Sequence, residues 1–143
     1  LNNILAKVEA IEQGCDEAIM LSTDGMVTEC TGDNLFVIKD GVVHTPPNMT
    51  GNSGSLEGVT QRFVRDVLVP MCGFKCVIKE MRLEDVLKAD EVFLTGTAAE
   101  MIAVNQIDLD RVGHKISDGE GPITKALRTK FRQIVTSDPI PED

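Results

Sequence analysis

An α+β fold with strands in the majority is what this sequence predicts, and three observations carry the prediction. Two Asp-Gly pairs, Asp24-Gly25 and Asp40-Gly41, each separate short runs of apolar and β-branched residues, the signature of antiparallel hairpins. Two longer stretches, 60–71 and 122–134, repeat apolar residues at helical spacing. Between them, Val92-Phe93-Leu94 leads into Thr95-Gly96-Thr97-Ala98-Ala99-Glu100, built almost wholly from small residues. Such a strand end brings backbone N–H groups and a hydroxyl within reach of an anion.

The elements follow in order. Leu1, Ile4, Leu5, Val8 and Ile11 share one helical face until Gly14 ends it. A chain opening part way along an amphipathic helix, with neither an initiator Met nor an N-cap, reads as the remainder of something longer. Ala18–Leu21 and Met26–Thr28 form the first predicted hairpin, and Asn34–Ile38 with Val42–His44 the second, together an antiparallel meander. Pro46-Pro47 stops that strand, and 48–55 is a polar loop. Thr60 is placed to cap a helix that buries Phe63, Val64, Val67, Leu68 and Met71, with Pro70 loosening its last turn and Gly73 closing it. Phe74–Ile78 is a strand, Leu83–Lys88 a short helix, and Glu91–Leu94 and Met101–Val104 are strands. Gly121-Pro122 starts a helix with Ile123, Leu127, Phe131 and Ile134 on one side, proline suiting the first helical position. One domain over 1–136 and a polar tail over 137–143 account for the chain.

With 143 residues, 42% hydrophobic and 26% charged, the chain has the make-up of a soluble globular domain with a sizeable core. A net charge of -9 without a Lys/Arg cluster argues against nucleic acid. Cys15, Cys30, Cys72 and Cys76 show no repeating spacing, and Cys72-x-x-x-Cys76 lacks the second pair of a zinc knuckle. Free thiols in a reducing, cytoplasmic compartment are expected, with no metal and no disulfide. No apolar run approaches a membrane span.

Three separated segments have the make-up of one pocket: Glu29-Cys30-Thr31-Gly32-Asp33-Asn34, Gly58-Val59-Thr60 and Gly96-Thr97-Ala98-Ala99. A helix starting at Val59 and Thr60 presents unpaired N–H groups and its dipole to a phosphate without needing a cation, which suits an acidic chain. A phosphorylated cofactor is the expectation. Each piece also has a plainer reading. Glu29 alone would be a solvent-facing acid at a strand end, Thr60 simply an N-cap, and Gly-Thr-Ala-Ala a bulge or tight turn. Asn34 suits an Asx-turn equally well, Leu56 ordinary core, and His44 a packed or half-exposed strand position.

In this order, with Thr45-Pro46-Pro47 and Ala89-Asp90-Glu91-Val92-Phe93 between them, the segments resemble the large domain of fold-type IV pyridoxal-phosphate enzymes, most of all the branched-chain amino-acid aminotransferases. The resemblance covers Leu1 to about Phe131. It implies a strongly curved, mostly antiparallel sheet or pseudo-barrel with flanking helices, the large domain of the D-amino-acid aminotransferase-like fold. It implies pyridoxal 5'-phosphate as cofactor, held by Glu29, Leu56, Gly58, Val59, Thr60, Gly96 and Thr97. Glu29 would keep the ring nitrogen protonated, so that the ring stays an effective electron acceptor. Leu56 would lie under the ring, and Thr97, Ala98 and Ala99 would line the place of the substrate α-carboxylate. Implied partners are amino-acid and 2-oxo-acid substrates, an N-terminal domain and a second subunit, without nucleic acid or membrane. The reaction implied is amino transfer from a branched-chain amino acid to 2-oxoglutarate. A D-amino-acid aminotransferase, an aminodeoxychorismate lyase or a non-catalytic binding module are the alternatives.

Two departures stand out. The family commonly has Arg directly after the threonine, where this chain has Gln61 and then Arg62. The family's Schiff-base lysine falls just before the helix that opens at Leu1, and Lys7 is more than a turn too late to replace it. No catalytic residue is therefore assigned within this chain, which is expected to be inactive alone.

Overall fold

The structure, a computed structural model, describes residues 11–12, 14, 18–22, 25–30, 33–47, 59–96, 101–109, 112–117 and 120–137, with Glu29, Cys30, Asp33, Val59, Leu109 and 135–137 described by backbone alone. At its centre is β3 (Asp33–Lys39), whose residues Leu35–Ile38 are apolar without alternation. Such a run suits only a strand covered on both sides. β4 (Val42–Thr45) and β6 (Glu91–Gly96) flank it, β5 (Lys75–Ile78) pairs with β4, and β7 (Met101–Val104) pairs with β6, giving the order β5-β4-β3-β6-β7. Leu35 and Val37 pack with Val27, Val86, Val92 and Leu94 on one face. Phe36 and Ile38 pack with Val43, Val64, Leu68, Phe93 and Leu127 on the other. Phe36 and Phe93 are register partners whose rings stack at 4.9 Å.

The Asp40-Gly41 turn is the hairpin the sequence predicts. Both residues have positive φ, 52° and 78°, and Lys39 faces Val42, a two-residue loop whose twist matches the strands. The other predicted hairpin also forms, from β1 (Ile19–Leu21) and β2 (Val27–Cys30), with Gly25 at φ 84°. The expected meander breaks there, because β1 and β2 make a separate two-stranded sheet that only packs beside β3. The main sheet is open, with β5 and β7 at its edges, rather than a closed barrel. Three of its pairings are antiparallel, and β4 with β5 is parallel.

That parallel pair needs a crossover, supplied by a continuous helix in three parts: α1 (Val59–Phe63), a π-helical stretch Val64–Leu68, and α2 (Val69–Met71). The Val69 N–H reaches the Val64 carbonyl, one residue further back than in an α-helix. Pro70 explains the widening. Its ring would strike the carbonyl four residues earlier and has no N–H to offer it, and a π-turn absorbs both problems. The wider turn rotates the face, so Val64, Leu68 and Val69 are buried whereas Val67 and Met71, expected inside, are 41% and 52% exposed. The helix already includes Val59, so Thr60 lies within its first turn and is not the N-cap residue.

α3 (Leu83–Leu87) is the predicted short helix, its start closed by the Arg82 N–H donating to the Asp85 carboxylate at 2.9 Å. β8 (Gln106–Leu109) and β9 (Val112–Lys115) form an additional hairpin that the turn chemistry did not announce. α4 (Pro122–Ser137) begins where expected, buries Leu127 and Phe131, and sets Phe131 against Phe63 at 6.0 Å. Ile11 and Glu12 are helical before Gly14 at φ 83°, in line with the expected helix end, although Ile11 is exposed. The rest of that predicted helix lies outside the described residues. Cys72 and Cys76 are free and half-buried, and burial pushes the Cys76 thiol up to about 11. No helix among the described residues is long and apolar enough to cross a membrane.

Candidate functional site

The site is built where β3 and β6 end together. Asp33 faces Gly96, and Asn34 faces Thr95, so the small-residue segment departs from a strand end held in register by its neighbour. Glu29 lies on β2, opposite Met20 and four residues ahead of Asp33. Four residues of extended chain span at most about 14 Å, which keeps Glu29 near this end of the sheet. α1 packs against β6, and Gln61, next to the half-buried Thr60, reaches Thr45, which is tied to Leu35 near the same end. Its first turn carries no acid and closes with Arg62. A helix start without an acid of its own is electrostatically disposed towards an anion.

Of the expected residues, Glu29, Val59, Thr60 and Gly96 are thus carried by elements that meet around one end of the sheet. Leu56, Gly58, Thr97, Ala98 and Ala99 lie outside the described residues. Asn34 is buried within regular β3 rather than in a turn, and His44 is half-buried on β4 opposite Val37.

A layer of buried polar side chains supports this end, most of it unmarked by any motif in the sequence. Thr95 shares the face of Phe93, and Asn34 that of Phe36, by strand alternation. Gln61 shares a helix face with Val64 and Leu68 and is 1% exposed. Its Nε2 donates to the Thr45 hydroxyl at 3.4 Å, and Thr45 donates in turn to the Leu35 carbonyl at 2.9 Å. The Gln61 Oε1 and the Thr95 hydroxyl, also 1% exposed, are buried without a hydrogen-bond partner. Uncharged, orphaned polar atoms beside an acid-free helix start fit a phosphate-bearing coenzyme held by dipoles and hydrogen bonds. The available signal was a glutamine three residues before Val64, at an apolar-face position.

The other end of β6 is chemically opposite. Glu91 is 5% exposed, and its carboxylate accepts the Ile123 N–H at 3.2 Å and the Thr124 N–H at 2.7 Å. A cavity of about 460 Å³ opens beside it, lined by Ile38, Asp90, Glu91, Glu120 and Ile123 among others. Each carboxylate there is committed: Asp90 accepts the Asp40 N–H at 2.9 Å, and Glu120 takes Arg128 at 2.9 Å. The Asp40 N–H, with Lys39 beside it, holds Asp90 below the usual carboxylate range, and Arg128 does the same for Glu120.

Comparison with known proteins places this geometry in a lineage. The family described as amino-transferase class IV matches residues 1–107. A putative branched-chain-amino-acid aminotransferase of Methanocaldococcus jannaschii is 42% identical over 140 residues, covering 95% of this chain and 45% of that protein. The branched-chain-amino-acid aminotransferase of Pseudomonas aeruginosa is 40% identical, covering 95% and 42%. The chain thus spans less than half the length of these relatives. Among solved structures, the T.th. branched-chain amino acid aminotransferase complexed with N-(5'-phosphopyridoxyl)-L-glutamate superposes with a TM-score of 0.82 at 34% identity, covering 96% of this chain and 44% of that one. A chain matched over most of its length in both sequence and fold belongs to the amino-transferase class IV family.

Proposed function

We propose that this chain is the coenzyme-binding large domain of a pyridoxal-phosphate-dependent aminotransferase that moves the amino group of a branched-chain amino acid to 2-oxoglutarate. The observation that carries the proposal is the meeting of an acid-free helix start, a glycine-ended strand and the Glu29 strand at one end of the sheet. It is supported by relatives at 42% and 40% identity named for this activity. The phosphopyridoxyl-glutamate adduct in the T.th. structure supports the coenzyme and the glutamate/2-oxoglutarate pair.

When bound, the coenzyme supplies an electron-accepting pyridinium ring. In this reading the Glu29 carboxylate holds the proton on the ring nitrogen. Val59 and Thr60 bind the phosphate through backbone N–H groups and the Thr60 hydroxyl, Gly96 lets the chain pass close, and Thr97 adds a further contact. Leu56 supports the ring, Gly58 precedes the helix, and the Thr97-Ala98-Ala99 backbone receives the substrate carboxylate. The amine that holds the coenzyme belongs to residues beyond this chain, as does the smaller domain that closes the site. The same reading carries a cytoplasmic homodimer whose site borrows from the partner subunit, supported by the resemblance alone.

The test is substrate profiling of the full-length protein. Leucine and 2-oxoglutarate are expected to give glutamate in a coenzyme-dependent reaction. Activity on D-alanine with none on L-leucine would overturn the branched-chain assignment.

A further inference from the structure

We propose that Gln61 is a positioning residue for the coenzyme phosphate, acting together with Thr95 across the α1–β6 contact. The inference rests on the coenzyme reading above and adds residues that touch neither phosphate nor ring. Gln61 directly follows Thr60, so its side chain fixes the first turn of α1. Thr95 directly precedes Gly96 and fixes the end of β6. Both side chains are 1% exposed on elements that pack together.

A buried amide and a buried hydroxyl are costly unless satisfied, so their retention at the ends of two binding segments calls for a role. The Gln61 Nε2 is spent on Thr45, which is itself tied to the Leu35 carbonyl, and this anchors the amide to β4 and β3. What remains is a carbonyl acceptor on the helix and a hydroxyl on the strand, chemically complementary groups that both stand without a hydrogen bond here. A hydrogen bond closing between them as the coenzyme binds would register the first turn of α1 against the end of β6, the two surfaces between which the phosphate is placed in this reading. An arginine at position 61 would bring charge to this place. A buried glutamine brings only geometry, and the binding then relies on the helix start and hydroxyls.

Apoprotein of the full-length enzyme is titrated with pyridoxal phosphate, comparing Gln61→Met, Thr95→Val and the double variant, with Thr124→Val as control. Thr124 also buries an unpartnered hydroxyl, but at the far end of β6. Gln61→Met is expected to weaken coenzyme binding about tenfold and Thr95→Val about threefold, the double variant losing less than the product. The ³¹P resonance of the bound phosphate is expected to shift in both and to stay in place for Thr124→Val. Wild-type and Gln61→Met proteins binding with equal affinity and the same ³¹P resonance would overturn the proposal. Should Gln61→Met fail to fold, Thr95→Val with unchanged affinity and resonance would overturn it equally. Wild-type protein that binds no coenzyme would remove the coenzyme reading first, and this inference with it.

Discussion

The two ends of β6 each meet the start of a helix, and they treat it in opposite ways. At Glu91 the strand inserts its own carboxylate into the first turn of α4, satisfying two N–H groups and complementing the dipole. At Thr95-Gly96 the strand brings only a hydroxyl and a glycine, and the first turn of α1 has no acid. A helix start closed by the protein's own carboxylate contributes stability. One whose first turn holds no acid, with neutral polar groups packed beside it, is disposed towards an external anion. The difference separates a structural joint from the proposed binding site along one six-residue strand.

The comparison breaks first at the closed end. Glu91→Ala removes a buried charged acceptor from two amides, and denaturation of the full-length protein should show a loss of about 3 kcal/mol. Coenzyme affinity should change far less. Gly121→Ala attacks the same joint, since a Cβ there would overlap the Glu91 side chain. The carboxylate would have to leave its place, at about 2 kcal/mol, and the two substitutions should be strongly non-additive. At the open end the expected pattern reverses. Thr60→Val should weaken pyridoxal phosphate binding about tenfold, read by titration, with the apoprotein's melting temperature nearly unmoved.

The smallest effects are electrostatic. Asp90 has its pKa lowered in the fold by the Asp40 N–H and by Lys39. Its contribution is thus present above the ordinary carboxylate value and is lost as pH falls through the lowered one. Asp90→Asn should flatten the acid limb of the stability profile slightly, because the side chain is half exposed. Cys76, raised to about 11, should resist alkylation at neutral pH and react only as the medium becomes strongly alkaline.

Much of this architecture was legible where local chemistry decides structure. Asp40-Gly41 demands a left-handed pair and produces the tight hairpin, and Pro122 after Gly121 starts α4. What was not legible depended on partners far along the chain. Pro70 was expected to loosen one turn, but relief came through a π-stretch that turned Val67 and Met71 outward. The β8–β9 hairpin is short and exposed, and although Gln106-Ile107-Asp108-Leu109 alternates, Asp110-Arg111 between the strands is not a glycine-bearing turn pair of the kind that marks the other hairpins. Glu91 reads as an ordinary acid at the head of a strand until α4, about thirty residues later, folds back onto it. Gln61 was legible only as a departure from a family pattern, and its burial gives that departure a physical meaning.

The most direct measurement is a crystal structure of the full-length protein with pyridoxal phosphate. The account predicts the phosphate between the first turn of α1 and the end of β6, within hydrogen-bond distance of Thr60, and the Glu29 carboxylate beside the ring nitrogen. A phosphate bound elsewhere, or a Glu29 side chain turned to solvent away from the ring, would contradict it.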